Sequence, residues 1–410
     1  MNTFYVGIDV SSKNNVAYIM TPDGNKHSSF SVPNNRKGAT TLVENVASAL
    51  SQSNTTGVVI GMESTSVYGD NLMYFLREDG RLGKYERKLH MLNPKQVRKF
   101  KESYSELPKN DFTDAFVIAD HLRFGRIKSE VYMDDYRYQA LKTLARARHQ
   151  TVEELTREKQ RFLNHLFLKF SGLTQEKVFS DNFGAASLAL IDEFESIDEL
   201  AYMDTGELAD FIRIKGKSHF DDVEKIAKAV KTAAKVSYNL PKTVAGSVNQ
   251  VISISMATIR FMQKQIKEYD RAIEKQLETI PNTLTSIKGI GQVYAAGIIA
   301  ETGDIKRFSG QAALAKYAGL SWTQNQSGDF EGEDTHLIKT GNRHLRYYLC
   351  EAANSLRKCD LEFKRYYSLK FKEVNKHQHK RAIALTARKL VRLVYTLLKT
   401  NRLYIPPEEY

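Results

Sequence analysis

Asp111 and Asp114 stand three residues apart in Lys109-Asn110-Asp111-Phe112-Thr113-Asp114-Ala115-Phe116, where apolar Phe112, Ala115, Phe116 and Ala119 recur at helical spacing. Residues three apart on a helix share a face, so both carboxylates point the same way. Two like charges held together favour a neutralising cation, and hard oxygen donors suit Mg²⁺. Acids in a first helical turn also serve as ordinary partners of the helix dipole, so the pair alone leaves both roles open. Two acids upstream change the reading. Asp9 ends the apolar run Phe4-Tyr5-Val6-Gly7-Ile8, and Glu63 ends Gly57-Val58-Val59-Ile60-Gly61-Met62. Four carboxylates from three separated elements can hold two divalent ions, an arrangement suited to in-line displacement at phosphorus.

The elements that must position these acids follow a definite order. Short apolar runs and turn chemistry predict strands over 3–10, 15–20 and 26–32, with Pro22-Asp23-Gly24-Asn25 as the turn before the third. A helix over 36–50, a strand over 57–63, a helix over 67–78 and a strand over 85–92 follow, the last ended by Asn93-Pro94. This is the order of an RNase H-like mixed sheet, whose first and fourth strands are parallel neighbours joined by a right-handed crossover. Asp9 and Glu63 then emerge side by side at the carboxyl ends of adjacent strands, where open α/β sheets place their sites.

Beyond Asp135 the pattern turns helical. Residues 136–170 and 244–280 are long, charged and apolar-periodic. Leu141, Leu144, Arg148, Thr151, Leu155, Glu158, Phe162 and Leu166 approximate a heptad seam with polar intrusions, which predicts an antiparallel coiled-coil hairpin. The segment 171–238 is a helical insertion at its tip, a spacer or an oligomerisation arm. After Pro281, Lys288-Gly289-Ile290-Gly291 between two helical patterns suggests a helix-hairpin-helix, whose turn amides contact a phosphate. A plain packing turn is the alternative. Ser327, beside Gly328, falls in a polar turn, and basic helices follow from Lys339 and over 379–399.

The 410 residues, 42% hydrophobic and 26% charged, describe a soluble globular chain of two or three domains. The net charge of +12 is concentrated: His336 to Arg402 holds seventeen Lys and Arg against four acids. A second basic run, Arg81 to Lys101, holds eight against Glu86 alone. Such surfaces fit a polyanion, and nucleic acid fits better than a membrane because neither run has a long apolar face; the shorter run equally fits an ordinary solvated surface. No apolar run is long enough to span a bilayer and no signal peptide is evident, so a cytoplasmic location is expected. Cys350 and Cys359 have no metal-ligand spacing. There is no zinc-finger spacing, basic zipper or clear recognition helix.

Taken together, Gly7-Ile8-Asp9-Val10-Ser11, Met62-Glu63-Ser64, Leu92-Asn93-Pro94, the Asp111/Asp114 stretch, Ile287-Lys288-Gly289-Ile290-Gly291, Tyr317-Ala318-Gly319-Leu320, Gln326-Ser327-Gly328 and Lys339-Thr340-Gly341-Asn342-Arg343 resemble the DEDD transposases of the insertion-sequence 110 family, relatives of the Piv invertase. The resemblance runs nearly end to end and is weakest over 171–238. It implies an α/β plus α protein: a RuvC-like catalytic domain (1–130), a coiled-coil oligomerisation region (131–282), and a mainly helical transposase domain (283–410).

By position, Asp9, Glu63, Asp111 and Asp114 match the Mg²⁺-binding tetrad. Ser327 matches a serine nucleophile that forms a phosphoserine link to DNA. The implied partners are donor and target DNA, a non-coding bridge RNA, and further copies of the chain as dimer to tetramer, with the composite site formed between protomers. The implied setting is a prokaryotic cytoplasm, at the nucleoid. Lys288, Gly289, Gly291, Lys339, Arg343, Arg346, Arg388 and Arg392 are the candidate nucleic-acid contacts.

One departure stands out. Where the family tends to be Arg- and Lys-rich after the Ser-Gly turn, this chain carries Glu331, Glu333 and Asp334, which leaves Lys339 and Arg343 to hold the scissile phosphate. Two other functions compete: a metal-only RuvC-like endonuclease or Holliday-junction resolvase with Ser327 as a turn residue, and a non-catalytic nucleic-acid binder. The complete tetrad argues against the last.

Overall fold

The computed structural model describes residues 2–53, 55–64, 67–125, 127, 135–217, 220–323 and 336–406, with 326–327 and 330–331 described by their backbone. The chain forms two compact units, Met1–Met133 and Asp134–Tyr410.

The first unit is built on a five-stranded mixed sheet. Its strands are β1 (Thr3–Val10), β2 (Asn14–Met20), β3 (Lys26–Pro33), β4 (Gly57–Glu63) and β5 (Glu86–Leu92), in the order β3-β2-β1-β4-β5. β1 runs antiparallel to β2 and parallel to β4, with Gly7 beside Gly61 and Ile8 beside Met62. Side chains alternate across a strand. Phe4, Val6 and Ile8 therefore enter one core with Leu42 and Val46 of α1 (Arg36–Gln52) and Leu72 and Leu76 of α2 (Asp70–Glu78). The opposite face of the sheet receives α4 (Asp111–Phe124).

Two local signals differ from the sequence expectation. The helix expected over 67–78 opens as a 3₁₀ turn, Val67–Gly69, before α2. Asn93-Pro94 not only ends β5 but starts α3 (Pro94–Lys101): the Asn93 side chain accepts from the Lys95 amide at 2.9 Å, and Pro94 occupies the first turn, where its missing N–H is no loss.

The second unit is helical. α5 (Tyr136–Lys169) and α11 (Lys242–Leu277) pack antiparallel: Arg148 bonds Asp270 near one end and Glu158 bonds Ser255 further along. Two of the polar residues interrupting the apolar seam, Arg148 and Glu158, thus meet polar partners across the helix pair, while Thr151 Oγ1 donates to the Ala147 carbonyl of its own helix.

Between the two helices, α6 (Ser171–Gln175), α7 (Ala185–Glu193), α8 (Ile197–Tyr202), α9 (Thr205–Lys215) and α10 (Val223–Val236) close a separate core with Phe162, Leu166, Ile252 and Met256. Lys169, buried there, donates to the carbonyls of Ile191 and Phe194 at 2.8 and 2.7 Å, which satisfies both the ammonium and the end of α7.

At the other end of the pair, α12 (Gln292–Thr302), α13 (Gln311–Tyr317), α14 (Arg343–Cys359), α15 (Leu361–Lys372) and α16 (Gln378–Thr400) form a third core around Tyr348, Leu349 and Leu390. No helix among the described residues is long and apolar enough to cross a membrane.

Candidate active site

The acidic cluster depends on two glycines. Gly7 lies two positions before Asp9 on β1, and Gly61 two before Glu63 on β4, so each glycine shares a sheet face with its acid. A Cβ on Gly7 would stand 2.1 Å from the Ala115 carbonyl oxygen and 2.4 Å from the Ala119 nitrogen. A Cβ on Gly61 would meet the Leu122 side chain at 2.8 Å. The backbone of α4 therefore lies directly on β1, which carries the first turn of α4 to the end of the strand. That turn holds Asp111 and Asp114, and Asn110 caps it by accepting from the Thr113 amide at 2.8 Å.

The charges of these acids act on one another. Asp9 is half-buried, and its carboxyl is pushed up to about 6, first by desolvation and then by the charges of Asp114 and Asp111. Glu63 is raised as well, by desolvation, Asp9 and Asp114. Lys101, the last residue of α3, places its Nζ 2.5 Å from Asp114 Oδ1 and pulls Asp9 and Glu63 back down.

No three His, Cys, Asp or Glu side chains among the described residues close into a metal-ligating shell. The cationic position beside Asp114 belongs to the Lys101 ammonium. Sequence reasoning counted Lys101 within a basic run and missed this role; the helix-start signal Asn93-Pro94 is what would have put it at the end of a helix.

The second unit holds the remaining candidates. Ser327 lies in the two-residue strand β7 (Gln326–Ser327), which pairs with β8 (Phe330–Glu331) so that Ser327 is opposite Phe330. The ladder of β6 (Ser321–Trp322) with β9 (Leu337–Ile338) closes the base of this loop. Gly328, Glu333 and Asp334 lie outside the described residues.

The Lys288–Gly291 turn follows a single 3₁₀ turn, Leu284–Ser286, not a full helix. Gly289 takes φ +103°, a left-handed backbone that favours glycine, and a Cβ there would also stand 3.2 Å from Cys359 Cβ and 3.4 Å from Leu356 Cα of α14. Gly291 caps α12 with no side-chain acceptor, and Lys288 is exposed beside a cleft of about 590 Å³. Glu274 also rims that cleft and accepts from Gln292 Nε2 at 2.8 Å, so an anion there would meet a carboxylate.

Lys339 is exposed, as is Arg343 at the start of α14. Arg346 is a brace: its Nη1 donates to the carbonyls of Ala318 and Lys339 at 3.1 and 3.0 Å, holding the segment that leads into α14. Arg388 is half-buried, with a buried Nη1 that has no hydrogen-bond partner among the described residues. Burial and then the neighbouring charge of Arg392 push its ionisation down. Two cations four apart on α16, one of them incompletely bonded, suit an anionic partner.

Beneath this surface, the buried Glu301 of α12 accepts from Arg146 Nε and Nη2 at 2.7 and 2.9 Å and from Asn342, the cap of α14, at 2.7 Å. A buried charge needs such paired donors. It ties the start of α14, and hence Arg343, to α5.

Comparison with known proteins accords with this layout. A DEDD transposase model matches residues 6–170, and a model described as transposase of the IS116/IS110/IS902 family matches residues 282–368. An uncharacterized 44.8 kDa protein of insertion element IS116 from Streptomyces clavuligerus is 23% identical over 98% of this chain and 96% of its own length. An uncharacterized 43.6 kDa protein of insertion element IS110 from Streptomyces coelicolor is also 23% identical, over 98% of this chain and 95% of its own. Small ribosomal subunit protein uS13 of Methanothermobacter thermautotrophicus is 34% identical over 24% of the chain. With both family models in chain order and two insertion-element relatives spanning almost the whole sequence, the chain belongs to the IS110 family of transposases.

Proposed function

We propose that the chain cuts and rejoins DNA strands through a RuvC-like, RNase H-type first unit and a serine nucleophile in the second. The observation that carries this reading is the pressing of α4 onto Gly7, which brings Asp9, Glu63 and the Asp111/Asp114 turn into mutual electrostatic contact. The sheet order β3-β2-β1-β4-β5, with β1 parallel to β4, supports the RNase H-type reading.

The donor set fits Mg²⁺: carboxylate oxygens that repel one another and already attract one ammonium. Asp9, Glu63, Asp111 and Asp114 would hold the metal, which when bound supplies charge neutralisation at the phosphodiester and a lowered hydroxyl pKa. With the metal held there, Lys101 would be free of Asp114 and available to a phosphate oxygen.

Ser327 Oγ attacks phosphorus. Its bond to phosphorus forms as the bond to the departing strand's oxygen breaks, and its proton passes to that leaving oxygen. The phosphoserine keeps the energy of the phosphodiester, so attack by a new strand's hydroxyl rejoins DNA without an external energy source. The test is trapping: wild-type protein with its element's ends and RNA should yield a covalent protein–DNA adduct, and Ser327→Ala should yield none. Adduct-free cutting by both would favour a metal-only nuclease.

In this reading residues 1–130 are the catalytic domain, 131–282 the oligomerisation region and 283–410 the domain presenting the serine. Lys339, Arg343, Arg388 and Arg392 contact backbone phosphates, with the exposed Lys288 of the Lys288–Gly291 turn reaching one outside the carboxylate-rimmed cleft; such contacts position a duplex without reading it. Sequence choice then falls to a bridge RNA paired with donor and target DNA, since base pairing needs only backbone contacts from the protein. Rewriting the guide segments of that RNA should move cutting to newly matched sites. Continued cutting at the original sites alone would put specificity in the side chains.

A further inference from the structure

On the opposite sheet face from the acids, at the same end of β1 and β4, lies a second cleft of about 440 Å³. Tyr68 and Phe75 supply aromatic walls, and Arg36, Asn71, Ser12 and Asn34 supply polar ones. Phe75 is half-buried with one side on the core, whereas Tyr68 is 49% exposed. Among the described residues, the Arg36 guanidinium, the Asn71 amide and the Tyr68 hydroxyl make no hydrogen bond or ion pair.

The cleft is rigidly joined to the catalytic strand. Asn34 Nδ2 donates to the Ser11 carbonyl at 2.8 Å and to the Tyr68 carbonyl at 3.2 Å, while buried Asn15 donates to Asn34 Oδ1 at 3.2 Å. One amide thus ties the wall of the cleft to the residue two beyond Asp9. Gly69 keeps the 3₁₀ turn close to the sheet, since a Cβ there would stand 3.1 Å from Met62 Sδ.

The chemistry of the lining selects a class of ligand. An exposed ring beside a half-buried one offers a stacking surface, a free amide can pair with a base edge, and a free guanidinium can meet a phosphate. The volume falls in the range that encloses a small ligand, and among the described residues no carboxylate lines the cleft to repel an anion. We propose that this cleft takes the base of an unpaired DNA nucleotide flanking the phosphodiester at the acidic cluster. The strand then crosses the end of β1, with Tyr68 stacking on the base and Arg36 on its phosphate. The proposal rests on the strand-cutting function above.

The test uses the full chain carrying Asp114→Asn, so that bound DNA is not cut, and a 15-nucleotide oligothymidine with one central 2-aminopurine. Stacking should quench the 2-aminopurine fluorescence on binding. Tyr68→Ala should abolish the quench and weaken binding roughly 5- to 100-fold. Tyr68→Phe should keep both, and Arg36→Ala should lower the salt slope of log affinity by about 0.7, as for one lost phosphate on a single strand. Unchanged melting temperatures in the exposed-site variants exclude a folding cause.

An unaltered quench and affinity in Tyr68→Ala would overturn the proposal, as would an equal effect of that change on fully paired duplex. Failure of the strand-cutting reading shows separately, as cutting that persists in Asp114→Asn without Tyr68→Ala.

Discussion

Replacing Asp9 by Asn is expected to abolish strand cleavage while making the metal-free protein more stable. Cleavage falls because a neutral amide removes one ligand of the charge-neutralising set, a loss of several kcal/mol in the transition state, or roughly 10³-fold in rate. Stability rises because the folded chain holds Asp9 among other carboxylates and raises its carboxyl to about 6. The folded state therefore keeps this proton to higher pH than the unfolded chain does. Its stability declines as pH climbs from the ordinary carboxylate value to about 6, and the loss is complete above that. Asn does not titrate and escapes the loss. Allowing for screening of a half-exposed group, the gain at pH 8 is about 1–2 kcal/mol, or several degrees in melting temperature. Calorimetry across pH 4–8, with and without Mg²⁺, checks both halves. Wild type should gain stability from Mg²⁺, and Asp9→Asn should gain little. A lower metal-free melting temperature in Asp9→Asn at pH 8, or full cleavage by it, would refute the account of the cluster.

Gly7→Ala should be more damaging than its single methyl suggests. The new Cβ would overlap the Ala115 carbonyl oxygen and the Ala119 nitrogen, both backbone atoms of α4, so no rotamer change can relieve it. The helix must lift from the sheet. Overpacking of this kind costs about 3 kcal/mol, a large share of a domain's roughly 5–15 kcal/mol. In whatever fraction remains folded, Asp111 and Asp114 ride away from Asp9, so Mg²⁺ affinity falls with stability. Gly80→Ala is the control, since a Cβ there meets nothing within 4 Å and should change stability by less than about 0.5 kcal/mol. Thermal melts and titration calorimetry read the two effects. Gly7→Ala behaving like Gly80→Ala would mean that the contact does not hold α4 in place.

Local signals in the chain were enough for the sheet of the first unit and for α4, though not for α3. Short apolar runs at Phe4–Ile8 and Gly57–Met62 identified the inner strands, and Asn110 before Asp111 marked where α4 begins. These properties reside in neighbouring residues, so a linear reading recovers them. The four acids were legible for the same reason: each stands at the end of an element.

The sequence did not disclose the contacts that bring the acids together. Nothing near Gly7 indicates that its missing side chain admits the backbone of α4 more than a hundred residues later. Nor does the basic run through Lys101 tell which of its cations is turned inward onto Asp114. Arg346 and Arg388 look alike in sequence, yet one braces two carbonyls and the other keeps a buried nitrogen without a partner among the described residues. A residue's type and spacing set what it can do. Close packing of segments distant in the chain decides which neighbours desolvate, pair or repel it, and those energies exist only in the folded molecule.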